Sequence, residues 1–284
     1  FIGAGLIVAA MHFGGHWVML LMAVLTIFII IRSNRRFNRK SDADNSDALF
    51  QAIISNQDKE QSWPMLMMYI TEQQQKFMNY AEQKYREITS AFLNENAGVL
   101  DKAESSLQKQ KNILKNARRK ETLCLRNLTR EMAIEKSTWF YLSNNCCMGM
   151  LYNLRRIDEV CKEHVDNNFL PLPASYTAEY EHITAEVSRL FADTSALSAL
   201  RRHCDDIKDA ISDTYHKAHD HLREGDASTM SVLYVYVNVL QETQELVSSI
   251  RKYLRAFAKL RDPEFRSRPP KSADALPPAD AQTV

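Results

Sequence analysis

Residues 131–168, EMAIEKSTWFYLSNNCCMGMLYNLRRIDEVCKEHVDNN, decide the fold. Apolar side chains recur there at Cys147, Met150, Leu154, Ile157, Cys161 and Val165, at intervals of three and four. That spacing lays a single stripe along an α-helix, which must bury the stripe against other elements. Thr129, just ahead of the first periodic residues, supplies an N-terminal signal. Pro171 and Pro173 stop the helix, so it is expected from Glu131 to about Asn168.

On both sides the chain is almost free of helix breakers. No proline falls between Pro64 and Pro171 or between Pro173 and Pro263, and beyond residue 15 the glycines are Gly98, Gly149 and Gly225. Leu, Ala, Glu, Lys, Gln and Met fill these intervals, and such chains are helical. Ser62-Trp63-Pro64 reads as a helix start with proline near the first helical position, leading to about Glu95. Asn94 to Gly98 makes a turn, and a second, more polar helix follows over about 99–128, expected at the outside. Beyond the prolines, helices are expected over about 175–193, 195–224 and 227–260. The β-branched run Val232 to Leu240, VLYVYVNVL, has strand composition. It is read as helix, because no turn signal interrupts the pattern and a lone strand would have no partner. The expectation is an all-α fold of two successive three-helix groups, 64–169 and 175–262, followed by a Pro-rich tail, 263–284, of disordered composition.

The N-terminal end differs in kind. WVMLLMAVLTIFIII, Trp17 to Ile31, is an unbroken apolar run that stops at RSNRRFNRK. Counted from Gly14 to Ile31, a helix would rise ~27 Å, close to the ~30 Å of a bilayer's hydrocarbon core. Trp17 suits one membrane interface, and Arg32, Arg35 and Arg36 mark the other, which the bias of basic flanks makes the cytoplasmic one. Residues 32–284 are therefore expected in the cytoplasm. FIGAGLIVAAMHF, with small residues at close spacing before Gly14-Gly15, reads as the end of an earlier span packed on other membrane helices. A cleaved signal peptide would carry its basic flank before the apolar core, not after it. Residues 1–32 are thus read as transmembrane, and 33–63 as a basic, then acidic linker with a short apolar patch from Leu49 to Ile54.

Charge and cysteine usage limit the function. Lys plus Arg number 36 against 35 Asp plus Glu, so no global field recruits nucleic acid. Five cysteines form no CxxC pair and leave an odd one over, as a reducing compartment expects. The chain has no nucleophile with a base at motif spacing, no glycine-rich phosphate loop and no zinc signature, so it is not expected to be an enzyme. The densest chemistry lies in CDDIKDAISDTYHKAHDH, Cys204 to His221. At 100° per residue Asp205, Asp209, Asp213 and His216 share one helical face, and such ligands suit a divalent transition metal. Leu200, Cys204, Ile207, Ile211, Ala218 and Leu222 occupy the opposite face. The acidic stripe is therefore expected to be solvated, a metal requiring further ligands from a neighbouring helix or subunit. His164 is read as a helix-end histidine favoured by the helix dipole. Met65, Met67 and Met68 are read as core filling, with an adaptable partner surface as the alternative. The bases from Lys109 to Lys120 are spread around their helix and read as solvated.

YNLRRIDEVCKEHVDNNFLPLP, Tyr152 to Pro173, resembles the corresponding segment of PhoU-like domains, which are built as two repeated three-helix bundles. Placed behind apolar spans and an Arg-rich stop, it resembles the C-terminal part of a bacterial PiT-type inorganic phosphate transporter. FIGAGLIVAAMHFGGHWVMLLMAVLTIFIIIRS is similar to the last two spans of such permeases. The resemblance implies a multi-pass protein of the inner membrane, phosphate and a coupling cation as partners through permease segments outside this chain, and a regulatory role for the helical domain. Homo-oligomerisation is a further expectation, and nucleic acid is not expected as a partner. PhoU proteins resemble one another in an acidic E/DxxxD motif facing bound metal. Here Leu154 replaces the first acid of the pair with Asp158, and Leu246 the second of the pair with Glu242. The alternative is a membrane-tethered helical signalling or scaffold protein.

Overall fold

The computed structural model describes residues 47–56, 58–192, 197–224 and 227–261. The expected membrane segment 1–32, the linker residues 33–46 and the 263–284 tail lie outside the described residues, and with them Trp17, Arg32, Arg35 and Arg36. No helix among the described residues is long and apolar enough to cross a membrane. The chain divides into two units, Phe1–Asn56 and Gln57–Val284. Within the first, a short helix α1 covers 47–55, taking in the apolar patch of the expected linker.

The second unit is all-α, with no strand among the described residues. Its helices are α2 (Lys59–Leu93), α3 (Ala97–Leu125), α4 (Arg130–Asp166), α5 (Ala174–Ala192), α6 (Leu197–Glu224) and α7 (Ala227–Arg261). α2 corrects the expected start: it begins at Lys59, so Pro64 lies inside it. Only the first four helical N–H groups lack intrahelical acceptors, so proline at the sixth position forfeits one bond. The Ser62 hydroxyl meanwhile donates to the Asp58 carbonyl at 3.0 Å.

Two helices end in the same way. At the α2 terminus Glu95 adopts φ 52°, its N–H donating to the Phe92 carbonyl, while Asn96 N–H reaches back to Ala91 at 2.8 Å. At the α4 terminus Asn168 adopts φ 48°, its N–H donating to Val165 and that of Phe169 to His164. These paired bonds satisfy carbonyls that the helix leaves open and turn the chain sharply. Asn96 then caps α3, accepting from the Val99 N–H at 3.2 Å.

The first three helices pack mutually, α2 on α3 and α4, and α3 on α4. The second three run in series, α5 on α6 and α6 on α7, and α4 lies along α7 as the most extensive contact of the unit, with α2 on α5 as a second join between the groups. α5 also reaches α7 through its rings: Tyr176 and Tyr180 lie 5.3 and 5.9 Å from Tyr236. Gly149 marks a close point of the α4–α7 seam, where a Cβ would stand 3.5 Å from Ser249 Oγ, and Asn153 Nδ2 donates to the same hydroxyl at 3.3 Å. The run Val232 to Leu240 is helical, and seven of its nine residues are buried, with Tyr234 exposed. Contact on most of its circumference explains the strand-like, uniformly apolar composition.

Tyr85, Tyr180, Tyr236 and Tyr253 are fully buried. Tyr253 donates to Gln74 Oε1 at 2.9 Å, and Gln74 in turn donates to Ser143, which ties α7, α2 and α4. The hydroxyls of Tyr85 and Tyr180 and that of Thr184 gather between the groups without a partner at hydrogen-bonding geometry. Burial pushes the Tyr85 phenol up to about 12.

Candidate functional site

On α4 the intervals of three and four that bury Cys147, Met150, Leu154, Ile157 and Cys161 continue to Asp158 on the side facing α3. Asp158 is 1% exposed and its Oδ1 has no hydrogen-bond partner. Around it the α3–α4 seam carries Asp101 and Glu104 from α3 and Glu159 and Lys162 from α4. Lys162 Nζ bonds Asp101 Oδ1 at 2.6 Å and lies 3.8 Å from Glu104. Burial pushes the Asp158 carboxyl up to about 7, the Glu104 charge adds to the rise, and Lys162 opposes it. An adjoining cleft of about 320 Å³ is lined by Asp101, Glu104, Lys111, Tyr152 and Arg155 among others. This gives an acid that titrates near neutral pH at the edge of an exposed acidic rim.

The second motif position, Glu242 on α7, is half-buried. Burial raises its carboxyl, and the Arg156 guanidinium 3.6 Å away opposes that rise. Asp158 and Glu242 thus sit on the third helix of each group, Asp158 facing α3 and Glu242 facing Arg156 of α4. Each has a basic neighbour from α4, Lys162 or Arg156.

The α6 stripe lies where its periodicity puts it. Cys204, Ile207, Ile211, Thr214 and Ala218 are buried, while Asp205, Asp209, Asp213 and His216 are exposed on the other face. Asp205 is taken by an ion pair, Arg251 Nε of α7 lying 2.7 Å from its Oδ1. His216 stands edge-on to Tyr215. Among the described residues no group of three His, Cys, Asp or Glu side chains is gathered closely enough to hold a metal ion.

His164 departs from its expected setting. It occupies the last turn of α4 but is buried, 1% exposed, and packs edge-to-face on Phe92 at 5.0 Å and Phe169 at 6.1 Å. Burial lowers its pKa, outweighing Glu95 3.9 Å away. Val165, read as the end of the apolar stripe, is only half-buried, because the periodic position after Cys161 is His164. The methionines are not core filling either: Leu66, Tyr69 and Ile70 take that place, Met68 is 66% exposed, and Met67 and Met68 line a groove with Trp63 and Arg261.

Glu121 escaped notice in the sequence. It is 2% exposed on α3, where its Oε2 accepts from Asn144 Nδ2 at 3.1 Å, and burial pushes its carboxyl up to about 7. The signal was present in Leu100, Leu107, Leu114 and Glu121, spaced by seven, which places the acid on the buried stripe. No family model, curated protein or solved structure matches the chain.

Proposed function

We propose that this chain forms the C-terminal part of a secondary, cation-coupled inorganic phosphate transporter of the inner membrane, comprising its last spans and a cytoplasmic PhoU-like regulatory domain. The observation that carries the reading is the order of the second unit. Three mutually packed helices are followed by three more, and the third helices of the two groups, α4 and α7, lie against one another. That order agrees with the duplicated three-helix organisation that the Tyr152 to Pro173 resemblance implies. The apolar run ending in Arg32, Arg35 and Arg36 supports the membrane part.

The domain acts by docking on the cytoplasmic face of the permease, where a difference in its affinity for two conformations shifts the alternating-access equilibrium. A divalent metal on the exposed stripe with Asp209, Asp213 and His216 would need further ligands from a neighbouring subunit. A second reading, a helical scaffold tethered to the membrane, is favoured by the methionine groove beside Trp63.

The test is uptake of radiolabelled phosphate by phosphate-transport-deficient cells expressing a reading frame that contains this chain. Phosphate-specific, saturable uptake supports the transporter reading. A well-expressed, correctly inserted protein that moves no phosphate removes its basis and favours the scaffold.

A further inference from the structure

α2, α3 and α4 line a partly open cavity of about 230 Å³ next to Glu121. Its walls are largely apolar, formed by Phe77 of α2, Leu114 and Ala117 of α3, and Cys147 of α4. It exceeds the ~150 Å³ of apolar space known to hold a benzene molecule. Polar groups mark both ends: the Glu121 carboxyl with the Asn144 amide that donates to it at one, and Gln110, eleven residues and ~16 Å earlier along α3, at the other. Lys76 of α2 lines the cavity as well, but its ammonium is held by Glu72 at 2.6 Å. Arg118, on Glu121's own helix, lies near enough to favour the charged carboxylate, though less than burial disfavours it. From α4 the facing groups are Asn144 and Cys147, neither of them cationic.

A buried carboxylate whose counter-charge is this weak is costly unless something cationic meets it. A metal ion is a poor match, since Glu121 is the single carboxylate among the lining residues and no group of three His, Cys, Asp or Glu side chains gathers among the described residues. We propose that the α2–α3–α4 cavity binds a small organic cation, a primary ammonium with an apolar body of a few carbons, whose charge is met by Glu121 and whose body lies against Phe77, Leu114 and Ala117. The ammonium donates to Glu121 Oε1, while the Asn144 bond to Oε2 is kept. This inference does not depend on the transporter reading.

Binding of n-butylammonium chloride to the purified 284-residue chain tests it, with n-butanol as the neutral control and sodium chloride at matched ionic strength. The wild type shows a saturable isotherm with the ammonium and none with the alcohol. The affinity rises from pH 6 to pH 8, because the carboxyl ionises while the amine stays protonated. In Glu121→Gln the affinity falls at least about tenfold, the loss of one charge-assisted hydrogen bond. Ala117→Leu keeps the acid and fills the cavity, so it abolishes binding even should the first variant fold poorly. Absence of saturable binding across the linear ethyl to hexyl ammonium ions overturns the proposal. So does binding that is unchanged in either folded variant.

Discussion

Replacing Glu121 with glutamine sets the cost of a buried charge against pH. In the folded chain its carboxyl titrates at about 7, against 4.5 for the ordinary group, and burial is the main cause. Between these values the native state keeps a proton that the unfolded chain has released. The contribution to stability is therefore fully present below about pH 4.5, declines as pH rises through the window, and is lost above about 7. The gap corresponds to about 3 kcal/mol. Glutamine has nearly the same shape and retains an acceptor for Asn144, but it cannot ionise. Urea unfolding followed by circular dichroism, in amine-free buffers from pH 5 to pH 8, gives the difference between variant and wild type. Asp158 and His164 titrate in both proteins and cancel. At pH 5 the two should agree within about 1 kcal/mol, the worth of one neutral hydrogen bond. At pH 8 the variant should be more stable by up to about 3 kcal/mol. A difference that does not change with pH, or a variant less stable than wild type at pH 8, would refute the reasoning.

Other perturbations follow from the same geometry. His164 has its pKa lowered by burial, so the unfolded chain takes up the proton first and wild-type stability falls as pH drops below about 6.5; in His164→Leu that acid-side decline in the urea midpoint should shrink. Glu95 holds φ 52° at the end of α2, and Glu95→Gly should raise stability by about 1 kcal/mol by removing the left-handed strain, as measured by thermal unfolding. Tyr85→Phe deletes a fully buried hydroxyl that stands beside Thr184, Thr243 and Tyr180 and should change stability by no more than about 1 kcal/mol, as measured by thermal unfolding; a loss above about 2 kcal/mol would contradict this.

Helix type was legible wherever periodicity and the absence of breakers agreed, as in α4 and in the amphipathic α6 with its exposed Asp209, Asp213 and His216. It was legible in α7 as well, although Val232 to Leu240 has strand composition, because length and missing turn signals outweigh β-propensity. The start of α2 was missed. Proline was read as a boundary, whereas Lys59–Trp63 continue the helix ahead of it at the cost of one backbone bond. Position on a stripe also proved a better guide than residue type. Glu121, Lys136 and His164 are all buried because they stand three or four residues from the buried Leu125, Phe140 and Cys161. The environment of Asp158 was not legible, since it depends on Asp101 and Glu104 more than fifty residues earlier. The pairing of Asp205 with Arg251 is likewise set by the packing of α6 on α7 and not by local pattern.

The central claim is that the helical unit regulates a phosphate permease. The most direct test compares phosphate uptake by the complete reading frame with that of a version ending at Lys40, at matched membrane abundance. The account predicts that truncation leaves a competent permease whose uptake rate, or whose response to external phosphate, is changed. Uptake identical in rate and response with and without the helical unit would contradict it.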